Sequence, residues 1–149
     1  MATETPATDD HELQRRMSVL ADRAELTDLL SRHGRWLDEK RFHETRAVFT
    51  EDAAVVVGSG AVTGAESVAA LAQSSHGSYA LTHHLTTNPQ IEVDGDRAVL
   101  SAQQIAVFCR EGDAPEFVVG ERYRMEAVRT RDGWRLSHVE GEPLWRVGA

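Results

Sequence analysis

The sequence predicts an α+β domain, a curved antiparallel sheet forming a cone with N-terminal helices packed across its concave face. Three observations predict it. The first part of the chain carries a helical apolar period, the second half alternates apolar and polar residues, and three Asp/Gly turns cut that half into four strands. A long curved meander has one face that must be covered, and the helical segments are the material available to cover it. A pocket between sheet and helices follows, and small molecules bind in such places.

The elements follow in order. Residues 1–12 read as a disordered acidic tail, since Glu4, Asp9, Asp10 and Glu12 stand there without Lys or Arg. Residues 13–149 read as a single domain. Up to Glu39 the period is helical: Leu26, Leu29, Leu30, His33, Trp36 and Leu37 recur at three- and four-residue steps, one apolar stripe with a histidine inside it. A second, short helix is expected over Arg41–Phe49, and a β-branched strand over Ala53–Val57. Gly58, Gly60 and Gly64 punctuate a turn before a third helix over Ala65–Gln73. The meander then runs Leu81–Val93, Arg97–Arg110, Glu116–Arg129 and Trp134–Glu140. Its turns are Asp94-Gly95-Asp96, Glu111-Gly112-Asp113 and Arg131-Asp132-Gly133.

Composition excludes several functions. A chain of 149 residues can bury a core without disulfides or a structural metal. Its 41% apolar and 27% charged residues suit a globular protein rather than a disordered one. No apolar run approaches the ~20 residues of a membrane-spanning helix. Met1 to Glu12 has neither the basic nor the apolar stretch of a secretory signal, and the single Cys109 excludes an intramolecular disulfide or a Cys-rich zinc site. A cytoplasmic location is expected. The net charge of −8 repels nucleic-acid phosphate, and Arg15, Arg16, Arg122, Arg124, Arg129 and Arg131 read as solvated faces alternating with acids.

Histidines are the first candidates for proton transfer near neutral pH. Of seven, His11 falls in the tail, His43 beside charged residues and His76 before a glycine turn, and these are set aside. His83 and His84 are adjacent on a strand and must face opposite sides. A packed core favours the Leu81-His83-Leu85 face, and a polar pocket favours Thr82-His84-Thr86. Asp38 ends the first helix, where a carboxylate opposes the helix dipole. It lies five residues after His33, about 140° around an ideal helix, so a straight helix separates their side chains.

On the third meander strand, Phe117, Val119, Glu121, Tyr123, Met125 and Ala127 form the apolar face. Glu121 and Tyr123 are therefore inward polar groups, and a buried carboxylate must be paired or have its pKa raised. Trp134, Leu136 and His138 share a face, which points His138 inward or to the rim. No spacing suits a metal, a phosphate loop or a dinucleotide, so neither cofactor nor metal is expected.

Several local motifs, in this order, resemble a known family. They are Leu37-Asp38-Glu39-Lys40-Arg41, Val48-Phe49-Thr50-Glu51-Asp52-Ala53, and Thr82-His83-His84-Leu85-Thr86-Thr87-Asn88. Val93-Asp94-Gly95-Asp96-Arg97-Ala98, Gly120-Glu121-Arg122-Tyr123 and Arg129-Thr130-Arg131-Asp132-Gly133-Trp134-Arg135 complete them. Over about Asp22 to Trp145 the chain resembles SnoaL-like members of the nuclear transport factor 2-like superfamily. That superfamily holds scytalone dehydratase, bile-acid dehydratase, hexachlorocyclohexane dehydrochlorinase and ketosteroid isomerase, the last a worked case of tuned carboxyl groups. The resemblance implies a cofactor-independent lyase or isomerase acting on a hydrophobic small molecule such as a polyketide or polycyclic metabolite. It implies an Asp–His dyad at Asp38 and His84, choosing His84 over His83. His33, Glu121, Tyr123 and His138 become substrate-binding or auxiliary acid residues. His33 departs from the dehydratases, which often carry Tyr there, and an acid at Glu121 is unfamiliar in the family. Aldol-type polyketide cyclisation, or a ligand-binding or dimerisation module without turnover, are the alternatives. A homodimer or homotrimer is expected, joined through the sheet's second face at Val99, Ile105 and Val107.

Overall fold

The computed structural model describes residues 9–149. Helix α1 runs Asp10–Asp38 and a short 3-10 helix Phe42–Ala47 follows; β1 is Phe49–Val57 and β2 Gly60–Thr63. Helix α2 spans Ala65–His76, and strands β3 (Leu81–Asp94), β4 (Arg97–Cys109), β5 (Phe117–Thr130) and β6 (Gly133–Gly148) complete the chain. The tail expected over residues 1–12 lies outside the described residues for its first eight. Asp10 to Glu12 already belong to α1, whose first turn Asp9 caps by accepting from the His11 main-chain N–H at 3.2 Å.

The four strands of the meander are present, and the helices cover the concave face of a cone as expected. One correction concerns the sheet, which is mixed. Its order is β2-β1-β6-β5-β4-β3, and β1 pairs with β6 in parallel. Strand β2 and the second half of β6 escape a pattern reading, because Gly60–Thr63 is short and Gly141 to Trp145 breaks the alternation. A second correction concerns the faces of β6. Ala127 pairs with Leu136 but Glu126 pairs with His138, so Ser137 is an extra residue, a β-bulge. The bulge reverses the alternation beyond it: Trp134 and Leu136 are fully buried, and then Val139 rather than His138 turns inward.

The core sits between α1 and the sheet. Leu26, Leu29, Leu100, Met125, Trp134, Leu136 and Val139 are its most buried side chains. At its closed end α1 is tied to the sheet by polar contacts. Arg129 donates to both carboxylate oxygens of Asp22 at 2.7 and 2.9 Å and to Asp96 at 2.9 Å, while Trp134 Nε1 donates to Asp22 at 3.2 Å. Arg129 is thus no free surface charge, and its guanidinium also lies 4.6 Å from the Trp134 ring centre.

The outer face of the sheet is apolar along one band. Register places Leu85, Ile105, Gly120 and Trp145 side by side, and next to them His83, Val107, Val118 and Val147. The Trp145 indole lies directly on Gly120, where a Cβ would fall 2.1 Å from it, so only glycine permits that contact.

Candidate active site

The last residue of α1 meets the first turns of β3. Asp38 Oδ1 accepts from Thr82 Oγ1 at 3.0 Å and from His84 Nδ1 at 2.5 Å, and Oδ2 accepts the His84 main-chain N–H at 2.9 Å. Thr82 and His84 stand two apart and so share a face of the strand. Burial pushes the Asp38 carboxyl up, but the bonds from His84 and Thr82 outweigh it and hold the group below its ordinary range. A carboxylate only accepts, so His84 Nδ1 carries a proton, and in the neutral ring the lone pair lies on Nε2. The His84 side chain is 2% exposed and that of Asp38 23%. His83 is exposed and faces the outer side, opposite Val107.

Beyond the His84 ring opens a cavity of about 510 Å³, lined among others by His76, His84, Phe108, Phe117, Glu121 and Tyr123. An inner chamber of about 50 Å³ shares Val57, Ser75, His76 and Tyr123 with it and ends on His33, Trp36 and Phe49. His33 and Asp38 therefore face different places, as their separation around the helix requires. His33 is 4% exposed and its Nδ1 has no hydrogen-bond partner. Burial, with the nearby His84 and His76, pushes its pKa down to about 3, so the ring is neutral.

Glu121 and Tyr123 point inward as their strand's alternation predicts. The partner of Glu121 is Gln104, whose Nε2 donates to Oε2 at 3.1 Å, rather than His84, His138 or an arginine. Thr86 donates to Gln104 Oε1 at 3.2 Å, and Tyr123 donates to the same Glu121 oxygen at 3.4 Å. Burial and then the Glu121 charge push the Tyr123 phenol up, which keeps it protonated. His138 is corrected: on the far side of the Ser137 bulge it faces outward, pairs with Glu140 at 2.8 Å and lines no part of the cavity.

Two residues were missed. Gln104 is buried in the fold as the hub of the Thr86–Glu121–Tyr123 network. His76, set aside as a turn residue, is the last residue of α2 and lines both chambers. Its signal was present: Val68, Ala72 and His76 follow at four-residue steps, and the first two are buried. Among the described residues no group of three or more His, Cys, Asp or Glu could hold a metal ion, and no helix is long and apolar enough to cross a membrane.

Comparison with known proteins bears on this arrangement. A family model described as a SnoaL-like domain matches residues 18–140. A comparison with curated proteins finds no match. Among solved structures, the Kfla4162 protein of Kribbella flavida is 31% identical, with 87% of this chain and 95% of that one covered and a TM-score of 0.80. A scytalone dehydratase-like protein of Novosphingobium aromaticivorans is 17% identical over 90% of this chain and 91% of its own, with a TM-score of 0.81. A hexachlorocyclohexane dehydrochlorinase of Novosphingobium barchaimii is 22% identical over 90% and 94%, with a TM-score of 0.78. At those two identities the likeness is one of fold.

Proposed function

Since the chain belongs to the SnoaL-like domain family, we propose that it is a lyase or isomerase that needs no cofactor and deprotonates a hydrophobic small molecule. The observation that carries this reading is the Asp38–His84 pair, with Nδ1 held by the carboxylate and Nε2 free beside an aromatic-walled cavity. His84 Nε2 takes a proton from carbon next to a carbonyl. The C–H electrons form a C=C bond, the bond to a hydroxyl two carbons from the carbonyl breaks, and the proton on Nε2 leaves with it as water. Asp38 stabilises the transient imidazolium and fixes the ring. Tyr123, protonated and bonded through its hydroxyl to Glu121, gives its ring to the substrate-binding wall. His33 offers a buried ring nitrogen to whatever polar end reaches the inner chamber. The neighbours that are a dehydratase-like protein and a dehydrochlorinase support elimination over aldol cyclisation. An open cavity supports turnover over a filled, purely structural cone. A cytoplasmic setting fits a chain whose single cysteine has no partner for a disulfide.

The test is a screen of cyclic β-hydroxy ketones for loss of water, read as the absorbance of the conjugated product. The protein should accelerate at least one such elimination. The Asp38→Asn variant should lose at least about tenfold of that rate, because an amide cannot balance imidazolium charge. Full activity of Asp38→Asn would remove the dyad.

We also assign the outer apolar band to a homodimer or homotrimer contact. Leu81, Leu85, Ile105, Trp145 and Val147 are each more than two-fifths exposed there, and they extend the patch expected from Val99, Ile105 and Val107. Covering it removes apolar area from water at about 25 cal/mol per Å². Light scattering should give a particle of two or three chains. A 16.5 kDa particle at micromolar concentration would refute the contact.

A further inference from the structure

Resting on the acid–base reading of His84, we propose that His76 orients the substrate by accepting a hydrogen bond on its bare Nε2. The pocket then selects molecules that carry a hydroxyl beside the carbon that His84 deprotonates. The motifs shared with the family do not include this residue; the geometry points to it. The His76 Nδ1 lies 3.2 Å from the Ala72 carbonyl oxygen and 2.8 Å from Ser75 Oγ. Ser75 Oγ donates its own proton to the Leu71 carbonyl at 2.8 Å, so toward His76 it accepts. With acceptors on that side, the ring proton sits on Nδ1 and Nε2 is left as a lone pair. No hydrogen bond to this Nε2 is made by any of the described residues.

The His76 ring centre lies 5.2 Å from that of His84 and 5.4 Å from that of Phe108. Two histidine lone pairs therefore serve one aromatic-walled space. The third polar group beside them, Glu121, receives both its protein donors on Oε2 and leaves Oε1 to accept again. Of the donors nearby, Tyr123 bonds Glu121 and Ser75 bonds Leu71, which leaves the Ser59 hydroxyl. This part of the cavity takes protons and offers few, so a ligand must bring them. A ketone, ether or halogenated hydrocarbon without a hydroxyl would leave the lone pairs desolvated and unpaired, which costs affinity.

Burial, and then the neighbouring His84, lower the His76 pKa to about 4, against the opposing pull of Asp38 and with Lys40 adding to the lowering. His76 thus stays neutral while His84 holds the substrate proton, and two cations never share the space. A neutral ring beside an imidazolium can orient a hydroxyl without competing for the proton being moved.

Two measurements on the whole chain test this. The first uses no ligand: long-range ¹H–¹⁵N spectra of the histidine rings from pH 5 to 8. His76 should show a protonated Nδ1 and an unprotonated Nε2 throughout. A proton on His76 Nε2 would overturn the proposal, while the state of His84 in the same spectrum reports on the dyad separately. The second compares binding of 2-naphthol and 2-methoxynaphthalene. The wild-type protein should prefer the naphthol by ~10-fold, the effect of one well-made buried hydrogen bond. His76→Phe keeps the ring contact with Phe108 and should lose most of that preference, keeping only the part that His84 Nε2 and Glu121 Oε1 supply, and His76→Gln, which retains an acceptor, should recover part of it. An undiminished preference in His76→Phe, or wild-type protein that binds neither or both equally, refutes the role. The Asp38→Asn elimination assay stands apart, so loss of this inference leaves the dyad to its own test.

Discussion

Replacing His84 with alanine is expected to lower the rate of elimination by about 10²–10⁴, the usual contribution of a positioned general base. Circular dichroism and the unfolding midpoint should change little. Asp38 loses one ring bond in that variant but keeps Thr82 Oγ1 and the residue-84 main-chain N–H, so the carboxylate is not left unpaired. The control lies one residue away. His83 occupies the same strand on its outer face, and His83→Ala should leave the rate within about twofold, as a surface substitution away from the site does. Equal losses in the two variants would mean that the effect comes through β3 rather than through an imidazole. Loss in neither would leave a cavity that binds without turnover.

Acid should weaken the fold well above the range where carboxylates titrate. His33 and His76 are neutral in the folded chain, with pKa values near 3 and 4, against 6.5 for a free ring. Below pH 6.5 the unfolded chain binds protons that the folded chain refuses, so stability falls as pH falls. Between pH 7 and pH 5 each ring removes about 2 kcal/mol, a sizeable part of the 5–15 kcal/mol that holds an ordinary domain. Asp38 acts in another window. Its folded pKa lies below 3.8, so its contribution is complete above that value and is lost only as pH drops through the folded one. Denaturant unfolding at pH 7, 6 and 5 should show the loss, and His33→Leu should show a shallower one. An unchanged slope in His33→Leu would mean that the buried ring takes up protons as readily in the folded chain as in the unfolded one.

Alternation made much of the site readable from sequence. Strand β5 carries no bulge between Glu121 and Met125, so counting by twos from Phe117 puts Glu121 and Tyr123 inside correctly. The same counting fails on β6. Ser137 adds one residue, and nothing in Leu136-Ser137-His138 announces it; the bulge is a product of pairing with β5. His138 went to the wrong face for that reason alone. Choosing His84 over His83 needed a resemblance, because leucines and threonines alternate evenly around them and hydrophobicity gives no preference. The parallel pairing of β1 with β6 joins segments far apart in the chain, Ala54 with His138, and a local pattern carries no trace of it. His76 was legible and overlooked. A turn signal at Gly77 outweighed a four-residue step that continued the buried stripe of α2.

That central position of β6 governs how the chain must be made. Asp22 and Arg129, which fasten α1 to the sheet, stand 107 residues apart, and the core's largest buried ring, Trp134, arrives in the last strand. As the chain leaves the ribosome, α1 can coil early, but Leu26 and Leu29 have no complete wall to close on until β6 has emerged. Contacts this distant make for slow folding, and an apolar stripe left uncovered meanwhile invites self-association or a chaperone. Truncation before Trp134 should therefore yield an insoluble product rather than a smaller cone, since the strand that seals the structure follows all the other described strands.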